Sequence, residues 1–216
     1  STSLFFFLQK HPHVCAGHQH DDPQLVNKEV DFFIKPDLFV QGPPLYLSAF
    51  DRSAKCLELA RAGIRGSFLD ASTKYLLDTG AAQRLKQTIP PELHGKLRFV
   101  VVLREPVERD RSWQGQKART AGKSMSDAEY LHSVHVRTQA PAQFPELRHG
   151  LYDTLLRGWW TQFPRDQFLV LSYDTLVANQ TDTLSRIVSF LGLEPLPTAH
   201  DLSMTTWNED PNKRAV

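Results

Sequence analysis

Arg104 and Ser112 are the residues whose types and spacing most directly suggest chemistry. Pro106 can stand as a first helical residue, where a missing N–H is harmless. Ser112 then lies about two turns further on, at ~3.6 residues per turn. A guanidinium offers a planar fork of donors, a hydroxyl adds one more, and a helix N-terminus adds partial positive charge. Such a set could clamp an oxyanion, a phosphate above all. The same residues also suit a plainer strand–turn–helix with surface ion pairs, because Glu105, Glu108, Arg109, Asp110 and Arg111 crowd the helix start.

The element that must position Arg104 is residues 97–103, an apolar, β-branched run expected as a strand buried on both faces. Residues 4–10 read as a buried helix stopped near His11-Pro12, and residues 26–34 as a strand or strand end. Helical spacing returns over residues 53–62 and 81–88, with a short strand at 67–70 between them. Ser126 and Glu129 form a capping box at the next helix start. Residues 151–163 carry an apolar stripe of Leu151, Leu155, Trp159 and Phe163, followed by a strand at 167–171 and a last helix over 181–191 closed by Gly192. Strands alternating with helices mean an α/β fold with a mainly parallel sheet. Ligands bind beyond the carboxyl ends of such strands, and Arg104 sits at one.

Composition narrows the partners. The 216 residues are 41% hydrophobic and 23% charged, with 25 basic against 24 acidic side chains, enough for one domain with a proper core. The near-balance argues against nonspecific nucleic-acid binding and a polybasic membrane anchor. No run reaches the ~18 apolar residues of a membrane span. The opening Ser1-Thr2-Ser3-Leu4-Phe5-Phe6-Phe7-Leu8 is apolar but has no basic flank or cleavage site, so the chain is expected to start inside a longer protein. Cys15 and Cys56 could pair or stay reduced. His11, His13, His18 and His20 have the look of a metal site or of a solvated loop.

Several stretches, in order, resemble the sulfotransferases that use 3′-phosphoadenosine 5′-phosphosulfate (PAPS), closest to the carbohydrate and heparan-sulfate type. Ser1-Thr2-Ser3-Leu4 through His11-Pro12 looks like the end of the phosphosulfate loop and its helix. Lys28-Glu29-Val30-Asp31-Phe32-Phe33 is similar to a Glu-x-His-Phe-Phe segment, and Asp70-Ala71-Ser72-Thr73-Lys74-Tyr75 to a third active-site segment. Val102 to Arg109 with Ser112 resembles the 3′-phosphate motif, and Gly150-Leu151-Tyr152 through Asp174 the closing helix and strand.

The resemblance implies a three-layer P-loop-type fold, with helices flanking a central, mainly parallel sheet, over a single domain of residues 1–216 truncated inside the phosphosulfate loop. Arg104 and Ser112 would hold the 3′-phosphate, and Ser1, Thr2 and Ser3 the 5′-phosphosulfate. Glu29 would be the general base that takes the acceptor's proton. In a strand Glu29 and Asp31 share one face, which makes Asp31 a partner or substrate contact; Lys74 and Tyr152 are further substrate-binding candidates. Asp31 stands where the family often has His, and Ala71 where heparan-sulfate members often have Lys. The implied acceptor is a hydroxyl or amine, most readily of a carbohydrate, the product 3′-phosphoadenosine 5′-phosphate (PAP), and no metal is required. The resemblance also implies a Golgi lumen if the source is eukaryotic and a cytoplasmic place otherwise. The Asn179-Gln180-Thr181 sequon suits the first. Trp113, Trp160 and Tyr152 could stack on a sugar ring or pack internally. A kinase-like phosphotransferase would need a full Gly-x-x-x-x-Gly-Lys-Ser/Thr loop and Mg²⁺ ligands, which are not visible. A non-catalytic nucleotide-binding domain is the other alternative.

Overall fold

Helix α1 (Thr2–Lys10) leads into β1 (Val14–Ala16), and α2 (Pro36–Phe39), α3 (Pro43–Asp51) and α4 (Ala54–Arg61) precede β2 (Ser67–Leu69). Next come α5 (Thr79–Thr88), α6 (Pro91–His94), β3 (Phe99–Leu103), α7 (Pro106–Thr120) and α8 (Asp127–Gln139). Helix α9 (Tyr152–Trp160), β4 (Phe168–Ser172), α10 (Tyr173–Ala178) and α11 (Gln180–Phe190) follow. This computed structural model describes residues 2–17, 29–51 and 54–195. Ser1, Lys28, His18 and His20 therefore lie outside the described residues.

Parallel strands need helical crossovers, and the chain supplies them between each pair. β1 lies parallel to β2, from Val14 opposite Ser67 to Ala16 opposite Leu69. β3 lies parallel to β4, from Phe99 opposite Phe168 to Leu103 opposite Ser172. The α/β class is as expected. Among the described residues, these pairs are two separate two-stranded sheets.

Two apolar clusters cover the strands. In one, Phe32, Phe33, Tyr46, Phe50, Trp159 and Phe163 are buried against Phe99 and Phe168. In the other, Leu4, Phe7 and Leu8 of α1 pack on Leu169, Leu171, Leu184 and Ile187, with Val100 and Val102 alongside. Alternation along β3 thus sends Phe99 to one cluster and Val100 and Val102 to the other. All five β3 residues are nevertheless only partly buried. The expectation of a strand buried on both faces is corrected: helices cover its faces, but only one edge is paired among the described residues.

A second correction concerns the expected strand over residues 26–34, of which residues 29–34 are described. Phe32–Ile34 forms a 3-10 turn entered through Asp31 in the left-handed region, at φ 55. A strand would send Phe32 and Phe33 to opposite faces. Here both are 1% exposed, and both rings meet Tyr46, at 5.3 and 4.8 Å. Burying consecutive phenylalanines in one core rules out strand alternation. The shared face of Glu29 and Asp31 expected from a strand therefore does not apply.

Local signals held elsewhere. Pro106 opens α7, and the Glu105 side chain accepts from the Glu108 N–H. The Ser126–Glu129 capping box is present, and Gly192 has φ 66 past the end of α11. Helix α9 buries Leu155 and Trp159, whereas Leu151 precedes it and is exposed. Gly158 lets α9 approach α5: a Cβ there would lie 2.3 Å from Thr79 Cγ2. Asp110 joins α7 to α8 by accepting from Arg137 Nη1 at 2.9 Å and Nη2 at 2.6 Å, and from the Tyr130 hydroxyl at 3.1 Å. Those donors hold its carboxyl below the usual range despite the burial that opposes them.

Candidate active site

The first cluster is assembled from the chain before the Phe32–Ile34 turn and from a second 3-10 turn, Thr73–Leu77. Thr73 donates its hydroxyl to Glu29 Oε1 at 3.0 Å. Lys74 Nζ lies 3.7 Å from Glu29 Oε2 and 3.1 Å from Asp31 Oδ2. Three predicted site residues, Glu29, Asp31 and Lys74, are thereby brought together across about forty residues of sequence, a tertiary pairing rather than a local one.

Beneath them lies a frame that sequence reasoning did not resolve into contacts. Ser72 Oγ donates to Asp70 Oδ1 at 2.5 Å and accepts the Asp31 N–H at 2.8 Å. Tyr75 donates its hydroxyl to Asp70 Oδ2 at 2.9 Å. Burial pushes the Asp70 carboxyl up, against these hydrogen bonds, and burial likewise pushes Tyr75 up. Burial also works against the Lys74 ammonium, but Asp31 and then Glu29 outweigh it and hold Lys74 above the ordinary lysine value. The legible signal was the Asp70-x-Ser72-x-x-Tyr75 spacing, which puts a carboxylate, a hydroxyl and a phenol on one short turn.

The second cluster sits at the carboxyl end of β3. Tyr152 donates its hydroxyl to the Arg104 carbonyl at 2.8 Å, fixing the strand end to the start of α9. The Arg104 guanidinium is 5.2 Å from the Tyr173 ring centroid and 3.3 Å from Glu108 Oε2, with its side chain 35% exposed. Ser112 is exposed on α7, one turn beyond Glu108. Arg109 donates to His149 Nδ1 at 3.3 Å, and burial, then Arg109, lower that imidazole's pKa. Thr2 and Ser3, both partly buried, are the first two residues of α1. Ser1, their predicted companion, lies outside the described residues.

Other candidates find ordinary partners. The His11 ring is buried; its Nδ1 accepts the His13 N–H at 3.1 Å and its Nε2 is 2.9 Å from the Glu194 carbonyl. Both nitrogens are engaged, so His11 is tied into the fold rather than offered to a metal. Among the described residues, no group of three or more His, Cys, Asp or Glu could hold a metal ion, and no helix is long and apolar enough to cross a membrane. Trp159 is core, and the Trp160 ring is covered by the Arg165 guanidinium at 4.3 Å. Cys15 and Cys56 are free and buried, and burial, reinforced by Cys56, pushes the Cys15 thiol up to about 12.

Comparison with known proteins finds relatives of the chain as a whole. A family model for the sulfotransferase domain matches residues 49–213. Carbohydrate sulfotransferase 15 of Mus musculus is 28% identical over 125 residues, covering 50% of this chain and 22% of the mouse protein. Heparan sulfate glucosamine 3-O-sulfotransferase 6 of Homo sapiens is 26% identical over 199 residues, covering 92% of this chain and 50% of the human protein. The chain thus spans between about a fifth and a half of the length of these curated relatives. A sulfotransferase from Alicyclobacillus acidocaldarius has a crystal structure that superposes at a TM-score of 0.62 with 24% identity, over 99% of this chain and 83% of the other. At that identity the likeness speaks for the fold.

Proposed function

We propose, from the premise that this chain belongs to the sulfotransferase domain family, that it moves a sulfuryl group from PAPS to a hydroxyl or amine of a carbohydrate. The observation that carries the reading is Arg104: a half-exposed guanidinium at the carboxyl end of a parallel strand, directly before a helix N-terminus. Its planar donors and the Ser112 hydroxyl suit a phosphate dianion. A 3′-phosphate is what separates PAPS from other adenine nucleotides. Thr2 and Ser3, with Ser1 before them, would meet the 5′-phosphosulfate at the start of α1.

Glu29 is the general base of this reading. Thr73 donates to its carboxylate, which would take the proton of an acceptor hydroxyl or amine. Asp31 and Lys74 lie on the acceptor side, and Tyr152 supports Arg104 through its carbonyl. Sulfuryl transfer, like phosphoryl transfer, depends on in-line positioning and stabilised oxygens more than on covalent help. The carbohydrate acceptor is supported by the names of the curated relatives. A Golgi lumen would accompany it, with glycosylation at Asn179, which is exposed between α10 and α11.

Calorimetric titration of the chain tests the donor. PAP should bind more tightly than ADP and without Mg²⁺; equal or Mg²⁺-dependent binding overturns the sulfotransferase reading. Glu29→Gln should keep PAP binding and stop transfer to a glycan acceptor. Unchanged turnover in that variant would remove Glu29 as the base.

A further inference from the structure

Asp31 combines three features that seldom meet in one acid. It is the only non-glycine residue with positive φ among the described residues. It is 4% exposed, and its Oδ1 is buried with no hydrogen-bond partner in the described structure. Its Oδ2 takes the Lys74 ammonium at 3.1 Å, with Lys35 Nζ further off at 3.8 Å. An unpartnered buried oxygen and a left-handed backbone each oppose folding and persist where the surroundings enforce them. Here the enforcement is visible: Ser72 binds the Asp31 N–H and is itself held by Asp70.

The effect of this frame falls on Lys74. Its backbone belongs to the Thr73–Leu77 turn, and its ammonium is drawn onto Asp31 while lying 3.7 Å from Glu29 Oε2. An ammonium has three donors. Two directions face the carboxylates, and the side chain is 50% exposed, so the third opens toward solvent beside Glu29. Two carboxylates alone would repel an anionic donor from this place. Lys74 is a cation that reaches both of them.

We propose that Lys74 is a catalytic cation that donates to a sulfuryl oxygen during transfer, and that Asp31 is the positioning residue that holds it there. The proposal rests on the sulfotransferase reading above. In the step, a bond forms between the acceptor oxygen and sulfur while the bond from sulfur to the 5′-phosphate oxygen breaks. That electron pair departs on the phosphate of PAP, and the acceptor's proton passes to Glu29. The acceptor oxygen must lie within hydrogen-bond reach of Glu29, which brings the sulfur bonded to it into the neighbourhood of Lys74 Nζ. A donor fixed in advance at such a place stabilises the transition state without reorganisation.

The experiment compares the chain with Lys74→Met, Asp31→Asn and the double variant, measuring kcat, the PAP Kd and the melting temperature. Lys74→Met should lower kcat by at least about tenfold while leaving the PAP Kd within about twofold. Asp31→Asn should lower kcat by a smaller factor, and the double variant should be no slower than Lys74→Met alone. A Lys74→Met enzyme with kcat within about twofold of the parent overturns the catalytic role, as does a loss that appears equally in PAP affinity. Independent, multiplying losses in the double variant overturn the positioning role of Asp31. Should Lys74→Met not fold, Lys74→Gln, which keeps a donor toward Asp31, is judged by the same criteria. If the unsubstituted chain shows no preference for PAP over ADP, the sulfotransferase reading itself has failed and this proposal falls with it.

Discussion

Replacing Arg104 by alanine should remove most of the discrimination between PAP and AMP, which differ only by the 3′-phosphate. The guanidinium carries five donors in a fixed fork. One is directed at Glu108 Oε2 over a long 3.3 Å, between side chains 35% and 49% exposed, an i,i+4 pair that contributes only about 0.3–0.5 kcal/mol. The rest of the fork is open to a phosphate, where charge-assisted hydrogen bonds contribute about 1.5–3 kcal/mol. Arg104→Ala should therefore reduce the PAP-to-AMP affinity ratio by ~10- to 150-fold, with AMP affinity itself nearly unchanged. Glu108→Gln removes the competitor for the guanidinium and should tighten PAP by about twofold, in the opposite direction. Isothermal titration of both nucleotides against the three proteins reads all of these numbers. An unchanged ratio in Arg104→Ala would refute the clamp, and parallel loss of PAP and AMP affinity would move Arg104 from phosphate recognition to general support of the fold.

Two further outcomes concern the scaffold. Gly158→Ala gains helix propensity but drives a methyl to 2.3 Å from Thr79 Cγ2, so overpacking of about 1–3 kcal/mol should dominate and lower the melting temperature by several degrees. Thr79→Ala should relieve part of that loss, and a Gly158→Ala protein as stable as its parent would show that α9 and α5 can separate. Asp110 has a folded pKa held below its ordinary value of 3.8, chiefly by Arg137 against the burial that opposes it. Its contribution is therefore present at neutral pH and lost as pH falls from about 4 through the folded value. Asp110→Asn should flatten that part of the melting temperature profile, and a parent profile without an acid slope there would count against the pair.

What could be read along the chain was what short stretches dictate by themselves. Pro106 at a helix start, Ser126 with Glu129, Gly192 past a helix end and the Leu155–Trp159–Phe163 stripe all act within a few residues, and each appears where expected. The failure at residues 31–34 has a matching cause: a short apolar run has no distinctive period, and the choice of a turn was made by Tyr46 and Ser72, both distant in sequence. Candidate site residues were legible by type, but their pairings were not. Nothing local joins Lys74 to Asp31, or Tyr152 to the Arg104 carbonyl. Nor does anything local to Trp160 announce that Arg165, five positions later and beyond the helix end, lies over its ring.

The two strand pairings bear on how the molecule is made as well as on its shape. Val14 meets Ser67 and Phe99 meets Phe168, so each ladder closes a loop of roughly fifty or roughly seventy residues before any backbone bond rewards it. Helices such as α7 and α8, capped from within, can form earlier at little entropic expense. The contacts of Glu29 with Thr73 and of Tyr152 with Arg104 span distances along the chain like those of the ladders. A collapsed, helical state without strand registry would therefore lack the Glu29–Thr73 and Tyr152–Arg104 contacts, and recovery of PAP binding during refolding should track the sheets rather than the helices.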